Sequence, residues 1–272
     1  MATFFGEVLP IHSRAVDDNE DEDAETPSIY FDLDSKYDDV SLLPSYGLIC
    51  VATGLAPSIF VQSYLVPTEH EVLGTIRLNV AKHDPDTPLG LDYSRRPNTL
   101  GKLLYHPGKG GVLYCVCDKD VPHEHCATIA RHFVDLSKSS SVTSVAFTAL
   151  PASDYKAKRV SGKPEYPVLR RLITCASSSE TSEDCIPFLE TPNTVPGLCA
   201  AVLTECEVRE LPGVLVVGYG DTPELDSNSV RAYEPALKLV CLQGLLQPVE
   251  SCRSAVLRHV RDARIDRGNL YF

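Results

Sequence analysis

Cys115, Cys117, His123, His125 and Cys126 carry the atoms of a zinc site within one short stretch. On a strand, Cys115 and Cys117 share a face. Structural zinc sites, however, separate paired cysteines by about two to four residues, and here only Val116 intervenes. Core thiols beside a helix start are the plainer reading. Gly218-Tyr219-Gly220-Asp221 follows a strand pattern, as a nucleotide loop would. The third glycine of a dinucleotide fingerprint is missing and Pro223 intrudes, so this reads as a turn at a strand end. Gly108-Lys109-Gly110-Gly111 lacks the phosphate-loop pattern and precedes a strand instead of opening a helix, so it reads as a hairpin turn. Neither a G-x-S-x-G elbow nor an H-E-x-x-H helix occurs. Nothing singles out a catalytic pair among the 37 carboxylates. The chain shows no enzyme signature, and no cofactor and no metal is expected.

The last four residues, Asn269-Leu270-Tyr271-Phe272, are of another kind. Three apolar side chains follow the strongly charged stretch Arg258 to Arg267, where a solvated terminus would be polar. The protease scar ENLYFQ contains the same NLYF string, but Gly268 stands where the scar has Glu, so the end is read as native. Tyrosine offers a flat apolar ring and a hydroxyl, which suit a narrow pocket with a polar floor. A terminal carboxylate can pair with a Lys or accept backbone N–H bonds. Burying one aromatic of ~150–250 Å² contributes about 4–6 kcal/mol at most. Ordering four residues costs about 4–8 kcal/mol. Such a tail roughly breaks even, so useful affinity requires a second contact from the body or a bound partner.

The elements that must position these residues follow from periodicity. Strand patterns cover Gly47–Thr53, Leu73–Val80, Val112 to about Asp118, Ser141–Leu150 and Val214–Tyr219, with a shorter one in LRRLITC after Pro167. Helix patterns cover Pro122–Leu136, a face of Leu198, Val202 and Cys206, Ser229–Leu242, and Val249 to about Arg264. Strands alternating with helices predict an α/β fold, a layered mixed sheet flanked by helices. The domain reading is an acidic disordered tail over residues 1–28, an α/β domain over 29–265 with a loop-rich region at 151–196, and a flexible docking tail over 266–272.

Charge and cysteine usage narrow the class. The net charge is −12, from 37 acidic and 25 basic residues. Residues 1–40 hold 12 acidic and 2 basic side chains, which leaves 25 and 23 for the remainder. A nearly neutral body has no electrostatic reason to bind nucleic acid. The run DDNEDEDAE at 17–25 repels itself and buries nothing. It is either an inert solvated tail or a contact for a basic partner. No stretch approaches the ~20 apolar residues of a membrane span, and MATFFGEVLP lacks the pattern of a secretory signal. Ten cysteines, several in apolar stretches (Cys50, Cys199, Cys206, Cys241), read as buried thiols in a reducing compartment.

Several pieces, in order and at similar spacings, resemble the proteasome assembly chaperone 1 family. They are Ala2–Val8, an acidic run ending in Glu25-Thr26-Pro27, Val40-Ser41-Leu42-Leu43, Cys115-x-Cys117 and Asp154-Tyr155-Lys156. The most specific stretch is Leu189-Glu190-x-Pro192-Asn193 followed by Ala200-Ala201-Val202-Leu203, continuing through Pro212, Asp221, Leu225-Asp226, Val230 and Pro235. Asn269-x-Tyr271 ends the series. The resemblance implies a non-enzymatic chaperone that pairs with proteasome assembly chaperone 2. The pair caps the outer face of the heptameric ring of α-type proteasome subunits, promotes ring formation and blocks off-pathway ring dimers. It further implies that the hydrophobic–Tyr–X tail, here Leu270, Tyr271 and Phe272, enters a pocket between neighbouring α subunits. The implied fold is similar to that of nucleoside phosphorylases. The implied location is the cytoplasm, with the nucleus or the endoplasmic reticulum surface as further sites. The alternatives are an enzyme on that phosphorylase-like scaffold and a zinc-dependent interaction module.

Overall fold

A computed structural model describes residues 28–37, 43–79, 99–137, 142–156, 166–177, 185–221 and 225–268. The acidic run and the terminal Leu270-Tyr271-Phe272 lie outside these residues. The strands are β1 (Ser28–Leu33), β2 (Leu48–Thr53), β3 (Glu71–Asn79), β4 (Thr99–His106), β5 (Val112–Cys117), β6 (Thr143–Pro151), β7 (Val168–Ile173) and β8 (Gly213–Gly220). The helices are α1 (Leu55–Tyr64), α2 (His123–Leu136), α3 (Leu198–Val208), α4 (Ser227–Arg231) and α5 (Val249–Gly268).

The strands form one eight-stranded sheet in the order β1-β3-β4-β5-β2-β6-β8-β7. Its centre is parallel: β2 pairs with both β5 and β6, and β6 pairs with β8. An antiparallel wing of β4, β3 and β1 extends from β5, and antiparallel β7 closes the other side on β8. This is the expected mixed sheet flanked by helices.

Parallel strands need a cover on both faces, and the central strands divide their side chains accordingly. Ile49, Val51, Leu113, Cys115, Cys117, Leu215 and Val217 face a core shared with Ile129 and Phe133 of α2 and with Leu198, Val202 and Cys206 of α3. Leu48, Cys50, Tyr114, Val116, Phe147 and Val216 face the opposite core with Phe60 and Tyr64 of α1 and with Cys252, Val256 and Val260 of α5. Buried tyrosines still need a hydrogen-bond partner. Tyr46 donates to the Phe133 carbonyl at 2.6 Å, Tyr114 to Leu65 at 2.9 Å and Tyr233 to Thr148 at 2.7 Å.

The helix expected over Ser229–Leu242 is replaced by α4 and two 3₁₀ turns, Glu234–Lys238 and Val240–Leu242. Pro235 lacks an N–H and its ring crowds the preceding turn, which ends the helix. Asp226 caps α4 by accepting from the Ser229 N–H at 2.7 Å. No pattern pointed to α1. Seven of its ten residues are buried, because it is pressed between the sheet and α5. A helix with no polar face carries no amphipathic period.

Both glycine clusters serve the backbone. Gly108–Gly110 is a 3₁₀ turn joining the antiparallel pair β4 and β5, as a hairpin turn should. Gly110 and Gly111 have φ of +86° and +81°, which glycine adopts without strain. Gly218 leaves room for Tyr233, since a Cβ there would collide with the Tyr233 hydroxyl. No Cβ-sized obstacle faces Gly220. Gly218→Ala is therefore expected to lower stability by about 1–3 kcal/mol through overpacking, while Gly220→Ala stays within about 0.5 kcal/mol. Urea unfolding of the two variants checks this.

Candidate functional site

Two arrangements at the edges of the cores are candidates for function. The first lies beyond the carboxyl ends of β6 and β8. Tyr155 follows a 3₁₀ turn after β6, Arg170 is on β7, and Glu190 lies on the segment after residue 185. Arg170 Nε donates to both Glu190 oxygens at 3.0 Å. The Tyr155 hydroxyl donates to them at 3.0 and 3.1 Å, and Arg170 also contacts that hydroxyl. Asn193 completes the staple. Its Oδ1 accepts from the Lys156 N–H at 2.7 Å, and its Nδ2 donates to the carbonyls of Lys156 at 3.1 Å and Glu190 at 2.7 Å. Burial would raise the Glu190 carboxyl, but the hydrogen bonds from Arg170, the backbone and Tyr155 outweigh it and hold the carboxyl below its usual range. The ring of Tyr155 lies 4.9 Å from that of Tyr219, and the Arg171 guanidinium covers Phe188 at 4.4 Å. These polar groups hold two loop segments and the edge strand β7 in one shape.

The second arrangement is α5, the element that leads to the terminal tail. Its buried face repeats every fourth residue through Cys252, Val256 and Val260. Its first turn is held where Ser251 Oγ donates to the Pro248 carbonyl at 2.6 Å, next to the Gln247 N–H bonded to the Tyr64 carbonyl at 3.0 Å. His259 Nδ1 meets Ser63 Oγ at 3.1 Å. Arg264 donates from Nε and Nη2 to the Leu225 carbonyl, at 3.0 and 2.8 Å. The helix continues past the expected end near Arg264 to Gly268, one residue before Asn269. Leu225 itself lies five residues past the end of β8. The chain therefore reaches residue 269 from a helix fastened near the carboxyl end of the sheet. Between α5 and the start of α4 lies a groove of about 450 Å³, lined by Asp226, Leu257, Val260, Arg261, Arg264 and Ile265.

The described residues do not bring the zinc candidates together. Cys115 and Cys117 do share a face, with sulfurs 3.7 Å apart, but they point into the α2–α3 core. The Cys126 thiol donates instead to the carbonyls of Val121 and Pro122. His125 Nε2 lies 4.0 Å from Glu124. Hydrogen bonding with Cys117, then burial, raises the Cys115 thiol well above its usual range. Among the described residues, no group of three or more His, Cys, Asp or Glu side chains is placed to hold a metal ion. None of the ten cysteines is in a disulfide, and seven are buried.

Sequence reasoning singled out the tail but not the Tyr155–Arg170–Glu190 staple or the groove. Two staple segments, Asp154-Tyr155-Lys156 and Leu189-Glu190-x-Pro192-Asn193, stand in the sequence as separate family-like pieces. Nothing in their spacing says that they touch.

A family model labelled PAC1 and described as Proteasome assembly chaperone 4 matches residues 1–272. The Proteasome assembly chaperone 1 of Xenopus laevis is 30% identical over 296 residues, covering 100% of both chains. That of Homo sapiens is 26% identical over 295 residues, covering 99% of each. Two solved structures from Pyrococcus furiosus share the fold. PbaA, described as an archaeal homolog of proteasome-assembly chaperone, has a TM-score of 0.52 at 12% identity over 89% of this chain and 93% of its own. PbaB, described as an archaeal proteasome activator, has a TM-score of 0.50 at 11% identity over 89% and 98%.

Two outcomes follow from the geometry. Glu190→Ala removes a shared acceptor of Arg170 and Tyr155 and should cost about 2–3 kcal/mol in chemical unfolding. Burial and the neighbouring Arg258 hold His259 below its ordinary value. The unfolded chain therefore binds its proton more readily, and stability falls as pH drops through about 6.5. His259→Gln should flatten the thermal midpoint between pH 7.5 and 5.5, leaving the acid-side loss from Glu190 at lower pH.

Proposed function

The chain belongs to the proteasome assembly chaperone 1 family, and from that premise we propose that it assists assembly of the 20S proteasome core particle. In this reading it acts without catalysis. It pairs with proteasome assembly chaperone 2, and the pair caps the outer face of the α-subunit ring, promotes ring formation and blocks ring dimers. Residues Leu270, Tyr271 and Phe272 dock between neighbouring α subunits. The observation that carries the docking step is the junction of tail and helix. A four-residue end with three apolar side chains follows directly on α5, whose last turns are fastened through Arg264.

That junction bears on the energy of docking. A tail on a long linker would dock almost independently of the body. A tail one residue from a fixed helix brings the body against the ring at a high effective concentration. The tail alone is near break-even, so the body and the second chaperone supply the remaining affinity.

The nearly neutral folded part fits a protein partner better than nucleic acid. Among the described residues, no helix is long and apolar enough to cross a membrane. The working location in this proposal is the cytoplasm, with the nucleus or the endoplasmic reticulum surface as further sites.

Affinity purification of the full chain should recover the second chaperone together with α-type subunits. Removing Leu270–Phe272 should weaken α-subunit binding at least ~10-fold and leave the heterodimer intact. Unchanged α-subunit binding would refute the tail mechanism, and recovery of neither partner would refute the chaperone reading itself.

A further inference from the structure

Resting on the docking reading above, we propose that the same tail is stored in cis in the free protein. Its store is the groove between α5 and the start of α4, so that docking must first release it.

The groove is an anomaly on its helix. The outward positions Arg253, Ser254, Arg258, Arg261 and Asp262 are polar and exposed, as a solvated helix face should be. Leu257 and Ile265, on the same outer side, are 64% and 53% exposed. With Val260 beneath them they border the cavity of about 450 Å³. That volume is ample for one or two large side chains.

The length of chain beyond the structure fits this site. A helix rises about 1.5 Å per residue. Counted back from Gly268, Ile265 lies about 4.5 Å away, Arg261 about 10 Å and Leu257 about 16 Å. Four extended residues span at most about 14 Å. A tail turned back at Gly268 therefore brings Leu270 and Tyr271 over Ile265 and Arg261, and Phe272 to the near side of Leu257. A cation is in place for the terminal carboxylate. Arg264 is engaged by the Leu225 carbonyl. Arg261 pairs loosely with Asp262 at 3.6 Å, with both side chains mostly exposed, a pairing that water screens.

The store is shallow because its own groove is shallow. Gains from burying Tyr271 are offset by the ordering of four residues, so the closed and open forms are near balance. Apparent affinity for the ring is then the intrinsic affinity reduced by the open fraction. A pocket deeper than this groove takes the tail, and free chaperone does not display three apolar side chains to unrelated surfaces.

The test uses the full chain and the double variant Leu257→Ser with Ile265→Ser. Both positions are exposed, so the fold should survive, with an unchanged circular dichroism spectrum as the control. Release of Phe272 by carboxypeptidase A should be about threefold faster in the variant. Affinity for α-type subunits should rise about two- to fourfold. Equal release rates, protection that grows with protein concentration (a second copy's tail), or ring binding no tighter than wild type each overturn the proposal. A groove that contacts the ring directly would give weaker binding, the opposite sign. Removal of Leu270–Phe272 separates the two readings. If it leaves ring affinity unchanged, docking fails, while the difference in release rate still reports on the store.

Discussion

Four parallel strands in the middle of the sheet have no side that faces water. β5, β2, β6 and β8 carry apolar residues up and down alternately, and both sets are buried. A sheet of that kind is unstable until both faces are covered, and the placement of every helix follows from this. α2 and α3 cover one face. α1 covers the other, with α5 and the α4 region packed around it. The aromatic cluster of Phe60, Phe147, Tyr64 and Tyr233 fills the space between them. The antiparallel wing of β1, β3 and β4 carries no such requirement on both faces, and Tyr30 and Val72 there stay about half exposed.

The position of α5 therefore derives from the needs of the sheet. Its buried face is the lid of the second core, and its other face looks outward. What it adds is direction: the tail leaves the body from a helix that cannot swing without opening a core. The staple of Tyr155, Arg170, Glu190 and Asn193 does similar work with polar groups. It ties the loops after β6 and β7 to the edge of the first core, where Tyr155 and Leu189 pack, and its carboxylate accepts hydrogen bonds from its own neighbours.

The strands and the amphipathic helices were legible because their periods survive in the sequence. Ile49, Val51 and Leu113, Cys115 stand two residues apart on their strands, and Cys252, Val256 and Val260 stand four apart on a helix. β1 and β4 were missed, and so was α1. β4 carries Gly101 and Lys102 in mid-strand, which blur its alternation. α1 is buried on nearly every side and so has no period to read. Pro235 broke a helix pattern that seemed continuous, although its physical effect was visible in the sequence. Gly108–Gly111 forms the hairpin turn its pattern predicts, whereas Gly218–Gly220 continue β8 and pair with Ala149–Pro151 instead of turning. The reason Gly218 must be glycine, contact with Tyr233, was invisible at a separation of fifteen residues.

The sequence alone determined the α/β class, the near-neutral body behind an acidic start, and an apolar end that polar termini normally lack. It also placed the chain in its family, because ordered short motifs persist where overall identity is low. Only the tertiary structure decided which of those motifs touch and that α5 holds the tail's root. It likewise decided that Cys115, Cys117 and Cys126 pack in the α2–α3 core and at its edge. The division has a physical cause. Periodicity and composition record local preference and burial, which act on neighbouring residues. Hydrogen bonds between loops, and the groove beside a helix, arise from chain segments brought together by the covering of the sheet.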